Sequence, residues 1–147
     1  MIRKYKEHGE HAFSHYIIGF DPFDSDEGIA DLAWDMMQRF EMIGFAAAHH
    51  FLINFDFPVV KPDVNRMRTF CRIGLIRKMN DPLGTLVAAR RLARAADVPV
   101  SWVDNFVNLG MKRGNEVCGT TMRCVSCDIR PLCRSKAAQE TNRALPL

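Results

Sequence analysis

The chain has 147 residues and a mass of 16.8 kDa, which suits one domain, or one domain with a small metal-bound appendage. Hydrophobic residues make up 48% of it and charged residues 25%, which excludes a disordered chain, and no apolar run reaches the ~18–20 residues of a membrane span. The basic opening MIRKYKEHGEH is not followed by an apolar stretch, so neither a signal peptide nor a membrane anchor is expected. We therefore expect a cytoplasmic protein with no membrane partner.

Charge is distributed unevenly along the chain. Residues 1–57 hold 4 Lys and Arg against 10 Asp and Glu, whereas residues 58–147 hold 16 against 7, for a net charge of +3. A basic excess in the C-terminal two-thirds favours a polyanionic partner, and nucleic acid is the commonest of these. The alternative is a basic face that is merely solvated.

The first two predicted elements are amphipathic helices. Asp24 can cap a helix with Glu27 three residues on, and apolar side chains then recur at helical spacing: Ile29, Leu32, Ala33, Met36, Met37 and Phe40. Gly44 interrupts the pattern before a second helix, FAAAHHFLINF. We expect Trp34, within the first helix, to lie in the core.

Three more helices are predicted from their start and stop signals. A Lys61-Pro62-Asp63 turn starts the third helix, which Gly74 ends. Asn80-Asp81-Pro82 starts the fourth, which runs to about Ala96. Ser101 caps a fifth helix, with Trp102 in the core, that runs through Leu109 to Gly110. The tail after Lys136 is expected to be frayed, and no segment reads as a strand, so the predicted fold class is all-α.

Four of the five cysteines lie in the stretch CGTTMRCVSCDIRPLC, with the spacing C-x5-C-x2-C-x5-C: Cys118, Cys124, Cys127 and Cys133. In a reducing compartment such a group is more often a metal site than a pair of disulfides. The short, equal flanking spacings favour a [4Fe–4S] cluster, in which each thiolate binds one iron; zinc and unligated thiols are the alternatives. Basic residues around the loop, including Arg123 and Arg130, suit contacts with phosphates.

The order of these features resembles the C-terminal half of the helix-hairpin-helix DNA glycosylases of the endonuclease III type. The likeness runs from about residue 25 to residue 134 and depends on RFEMIGFAAAHHFL, VKPDVNRMRTFCRIGL and the four-cysteine loop. It implies an all-α helical domain over residues 1–110 with a helix-hairpin-helix at about 28–54, an iron–sulfur loop at 111–136 and a flexible tail at 137–147.

The resemblance also implies roles for individual residues. Ile43 and Gly44 fall on the hairpin turn whose backbone N–H groups bind a DNA phosphate, and Asp63 falls on the catalytic aspartate. Met42 stands where the family usually has the first hairpin glycine. Local sequence also allows Asp63 to be only a helix N-cap. Arg66 and Arg68, which follow Asp63 on the same helix, are further candidates for phosphate contacts.

The implied function is base-excision repair by a monofunctional DNA N-glycosylase acting on double-stranded DNA near the nucleoid. Ala46 stands where bifunctional members carry the lysine that forms a Schiff base, so no strand cleavage is expected. Only about 24 residues precede the hairpin helix, too few for the family's base pocket. A homodimer or a partner chain supplying the missing helices is therefore expected. The alternative is a non-catalytic iron–sulfur DNA-binding subunit.

Overall fold

A computed structural model describes residues 26–109 and 117–144 of the chain. Within these ranges the fold consists of α-helices, two short 3₁₀ turns and no strand, which confirms the all-α class. The helices are α1 (Asp26–Arg39), α2 (Phe45–Ile53), α3 (Val64–Ile73), α4 (Pro82–Ala96), α5 (Val100–Leu109) and α6 (Lys136–Ala144). The 3₁₀ turns are Cys124–Ser126 and Arg130–Leu132. No described helix combines the length and apolar character needed to cross a membrane.

The chain divides into two compact units, Met1–Pro58 and Val59–Leu147. The predicted layout placed its boundary near residue 110, whereas the contacts divide the chain after Pro58. In the first unit, α1 packs against α2 and buries the predicted apolar face, which includes Ile29, Leu32, Ala33 and Met36. Periodicity thus located the inner face of α1 correctly.

Both tryptophans contradict the prediction that they lie in the core. Trp34 is 63% exposed and Trp102 is 67% exposed. Successive helical residues are turned by about 100°, so a side chain two places from Leu32, or one place before Val103, faces away from the buried side. The prediction considered only that tryptophan is apolar. The position of each tryptophan around its helix decides instead that it is exposed.

In the second unit, α3, α4 and α5 pack against one another around a core that includes Phe70, Ala89 and Val103. Each helix begins close to its predicted signal. The Asp81 carboxylate accepts a hydrogen bond from the Gly84 N–H at the start of α4, and α5 begins one residue before Ser101. The predicted stop at Gly110 lies outside the described residues.

From Lys136 to Ala144 the tail is helical rather than frayed. The Ser135 hydroxyl accepts a hydrogen bond from the Ala138 N–H at 3.2 Å, which caps the first turn of α6. Ala138 is buried, and α6 packs on both 3₁₀ turns of the cysteine loop. Packing against the loop therefore orders a segment whose own sequence is mostly polar.

Candidate functional site

The cysteine loop, defined here as residues 117–135, is built on short turns. Cys118 pairs with Met122 in an isolated β-bridge, and the Arg123 N–H donates to the Val117 carbonyl at 2.9 Å. Further backbone hydrogen bonds close the two 3₁₀ turns. The four cysteines of the loop are half-buried, and none forms a disulfide.

The four thiols lie close enough to influence one another's ionisation. Burial raises the pKa of the Cys124 thiol, and the charges of Cys133 and Cys118 raise it further. Burial also raises the pKa of Cys127, and the charges of the other three thiols raise it further. Arg72 and Arg130 partly oppose the rise in the pKa of Cys124, so both guanidinium groups lie near the sulfurs. The loop and the end of α3 together bring four thiols and two positive charges into one place.

This donor set suits a polynuclear cluster or a tetrahedral zinc ion by its chemistry, because both are bound by four thiolates. As the side chains stand, no group of three or more His, Cys, Asp or Glu in the described parts of the chain is arranged to hold a metal ion. A bound cation would relieve the repulsion among the thiolates. The loop residues therefore match a metal centre in ligand type and number, but not in the arrangement of the described side chains.

Arg72, near the end of α3, binds the loop to this helix at both of the loop's ends. Its guanidinium Nη1 donates to the carbonyls of Cys118 and Gly119 at 3.0 and 2.8 Å and lies 3.4 Å from the Cys118 sulfur. The Arg72 carbonyl in turn accepts from the Arg134 N–H at 2.7 Å and from the Cys133 thiol at 3.4 Å. A single residue of α3 therefore contacts the first and the last cysteine.

Asp63 lies at the opposite end of the same helix, where it is the N-cap. Its Oδ1 accepts from the backbone N–H groups of Asn65 and Arg66 at 3.1 and 3.0 Å. Its Oδ2 accepts from the Arg66 guanidinium at 2.8 Å and lies 3.8 Å from the Lys61 ammonium. The carboxylate is one-fifth exposed and so still reaches solvent.

Arg66 was predicted to contact DNA, and the structure places it in the interior instead. Asp104 of α5 binds it through two parallel hydrogen bonds, Nε to Oδ1 at 2.6 Å and Nη2 to Oδ2 at 2.7 Å. Although burial by itself lowers the pKa of Arg66, the hydrogen bonds and charges of Asp104 and Asp63 outweigh it and raise that pKa. Arg66 is 8% exposed and holds two carboxylates, so it joins α3 to α5 rather than meeting a phosphate.

The other predicted DNA contacts are placed as follows. Arg123 is exposed on the loop, and Arg68 is half-buried on α3, with its guanidinium 3.3 Å from the Asn65 side-chain oxygen. Arg130 is half-buried and acts on the thiols. Of these, Arg123 has the position best suited to a phosphate contact.

The segment predicted to be the hairpin turn lies between α1 and α2. Met42 adopts a left-handed conformation with φ of 68°, and Gly44 is an exposed N-cap without a side-chain hydrogen bond to the helix. The first helical bond of α2 runs from the Ala48 N–H to the Gly44 carbonyl, which leaves the preceding N–H groups without a partner within the helix. Ile43 is half-buried beside them, and its own N–H donates to the Phe40 carbonyl at 3.3 Å. Such N–H groups at the positive end of the helix dipole suit an anion.

Comparison with protein-family models, curated proteins and solved structures finds no match to this chain.

Sequence reasoning missed Asp104 and the role of Arg72. Asp104 is a lone acidic residue in the apolar pattern VSWVDNFVNL, and a charge at an inward-facing position signals a buried partner. Asp104 lies three residues before the apolar Val107, on the same face of the helix, and this spacing could have identified it. Nothing local marks Arg72, because its partners lie 46 and 47 residues away.

Proposed function

We propose that this protein is a DNA-binding iron–sulfur protein that acts as a monofunctional N-glycosylase on a damaged or mismatched base. The observation that carries the proposal is the placement of Asp63 and Arg72 at the two ends of α3. Through Arg72 this helix is bound to the cysteine loop, and through its N-cap it presents Asp63. The loop would thereby fix the position of the carboxylate.

The cofactor of the proposal is a [4Fe–4S] cluster held by Cys118, Cys124, Cys127 and Cys133, with zinc as the alternative. When bound, it supplies positive charge and rigidity to the loop. Its support is the set of four mutually interacting thiols.

Asp63 is the proposed catalytic residue. An ionised carboxylate beside the sugar of a flipped nucleotide would stabilise the positive charge that develops as the base leaves, and would help to activate the attacking water. No lysine occurs in α2, so no amine there can form a Schiff base with the sugar. The proposed reaction is therefore hydrolysis of the N-glycosidic bond without strand cleavage.

Two surfaces are proposed to bind double-stranded DNA. The first is the Ile43-Gly44 turn, where the N–H groups at the start of α2, which have no partner within the helix, would meet a backbone phosphate. The second is the exposed face of the cysteine loop around Arg123. A second copy or a partner chain would complete the base pocket, and the mass in solution, measured by light scattering, would reveal such an assembly.

A second candidate is a non-catalytic iron–sulfur subunit that binds DNA. The observation that favours it is the engagement of Asp63, since both carboxylate oxygens already accept hydrogen bonds within α3. In this role Asp63 is structural: it caps α3 and pairs with the Arg66 guanidinium.

One assay separates the two candidates. Duplexes containing uracil, mismatched thymine, 8-oxoguanine or an alkylated purine are incubated with protein and then treated with alkali, which cleaves at abasic sites. We expect cleavage of at least one substrate by the wild type and a loss of at least 100-fold in Asp63→Asn, because removing the charge removes general acid–base and electrostatic assistance worth about 10²–10⁴. No cleavage before alkali is expected.

The matched control is Asp81→Asn. Asp81 is also an N-cap whose carboxylate accepts from a backbone N–H, so this variant makes the same chemical change at another helix start. Asparagine caps nearly as well as aspartate, so both variants should fold. Tight DNA binding without cleavage of any substrate would establish the non-catalytic candidate, and activity retained by Asp63→Asn would remove Asp63 from catalysis.

A further inference from the structure

A groove with apolar walls and basic edges lies between α4 and the segment that joins α3 to α4. It has a volume of about 510 Å³, and its apolar lining includes Leu75, Ile76, Val87, Ala88 and Leu92. Leu75 is 39% exposed and Val87 is 50% exposed, so the groove leaves apolar surface open to water. Contiguous exposed apolar surface commonly marks an interaction site.

Arginine side chains lie beside this apolar lining. Arg77 and Arg91 line the groove, and neither guanidinium forms an ion pair with a carboxylate in the described parts of the chain. The Arg134 side chain lies over Gly74, which also lines the groove. Asp81 is the acidic residue of the described lining, and its carboxylate already caps α4. The groove therefore suits an occupant that carries both an apolar side chain and negative charge.

The exposed face of α1 carries this combination. Glu27, Asp31 and Trp34 follow one another at spacings of four and three residues, which places them on one side of the helix. All three side chains are exposed, and Trp34 is 63% exposed. The unit that contains α1 has an acidic excess, whereas the unit that contains the groove has a basic excess. The face of α1 thus complements the groove in charge and in apolar character.

We propose that Trp34 of a second copy of this chain inserts into the groove, with Asp31 of that copy beside Arg91. Side chains three or four positions apart on a helix lie about 5–6 Å from each other. Asp31 and Trp34 on α1 are therefore separated by about the same distance as Arg91 and Val87 on α4. The carboxylate can meet the guanidinium while the indole covers the valine. This inference is independent of the proposed function, because it requires neither DNA nor a metal.

The test measures self-association of the full chain by light scattering over a range of protein concentrations. We expect the mean mass of the wild type to rise above 16.8 kDa with concentration and to fall again as salt screens the charge pairs. Trp34→Ala should weaken the association at least about tenfold, as for the loss of an aromatic anchor. Trp102→Ala is the matched control, because Trp102 is as exposed as Trp34 but does not line the groove.

A charge exchange tests the pairing of Asp31 with Arg91. Arg91→Asp and Asp31→Arg should each weaken self-association, because each variant places like charges in contact. A mixture of the two variants should associate again, since every contact between the different variants then joins opposite charges. Recovery in the mixture cannot arise from a folding defect in either variant.

Two results would overturn the proposal: a wild type that stays at 16.8 kDa at every concentration, or an association that Trp34→Ala leaves unchanged. A mixture of Arg91→Asp and Asp31→Arg that does not recover would overturn the pairing of these two residues. If the wild type is monomeric and Arg91→Asp weakens its binding to DNA, the groove is a nucleic-acid surface and the second copy is excluded.

Discussion

Met42 adopts a left-handed backbone conformation, with φ of 68°, in the turn between α1 and α2. Its side chain is fully exposed, so no packing repays the steric cost of Cβ in this conformation. A methionine here takes up a backbone geometry that suits glycine. The conformation is thus imposed by the turn rather than favoured by the residue.

Met42→Gly is expected to stabilise the protein by about 1 kcal/mol, because glycine removes the clash between Cβ and the following carbonyl. The measurement is the free energy of unfolding in denaturant. Glu41→Gly is the control, because Glu41 is not among the residues with positive φ. Glycine there relieves no clash and only adds conformational freedom to the unfolded chain, so this variant should be less stable than the wild type. A Met42→Gly variant that is less stable than the wild type would contradict the prediction.

At the scale of the element, α3 is the helix on which the proposed site depends. Asp63 begins it, Arg66 binds Asp104 of α5, and Arg72 binds the loop. Gly74 ends it in a left-handed conformation with φ of 81°, which lets the chain turn back toward the Phe70 carbonyl. The Arg134 side chain lies directly over Gly74. The end of α3 and the end of the loop are therefore packed against each other.

Gly74→Ala should lower the free energy of unfolding by about 1–2 kcal/mol, because alanine resists the left-handed conformation. A Cβ at this position would also lie 2.5 Å from Cδ of Arg134, which must move. Gly74→Asn is the comparison: it introduces the same Cβ, but asparagine tolerates positive φ, so it should lose less. Equal stability of Gly74→Ala and the wild type would show that φ at residue 74 can relax.

At the scale of the whole molecule, the division into two units coincides with the division of charge. Pro58 carries no charge, so the Met1–Pro58 unit has 4 basic and 10 acidic residues, and the Val59–Leu147 unit has 16 and 7. The cysteine loop belongs to the basic unit, whereas the turn at Gly44 belongs to the acidic one. Most of the proposed nonspecific affinity for DNA should therefore come from the Val59–Leu147 unit.

Arg123→Gln is expected to weaken DNA binding equally for all sequences and to reduce the slope of log K against log salt by about 1, as for the loss of one phosphate contact. Fluorescence anisotropy over a range of salt concentrations measures this slope. Arg39→Gln is the control, because Arg39 lies in the acidic unit and pairs with Asp35 on the same helix. An unchanged slope in Arg123→Gln would exclude Arg123 from the interface.

Much of the fold followed from short-range patterns. The buried positions Leu32 and Met36, the N-caps Asp63 and Asp81 and the stop at Gly74 were all predicted, because each depends on residues within about one or two helical turns. The spacing of the four cysteines likewise indicated a ligand set without any knowledge of the fold.

The contacts between residues far apart in the sequence depended on how the helices and the loop pack. Arg66 and Asp104 are 38 residues apart, and only the contact of α3 with α5 brings them together and takes Arg66 away from solvent. Arg72 reaches Cys118 across 46 residues, and α6 is ordered by its contact with the loop. The sequence by itself therefore determined the helices, their caps and the ligand types. The tertiary structure decided which charges are buried, because desolvation depends on the neighbours that packing provides.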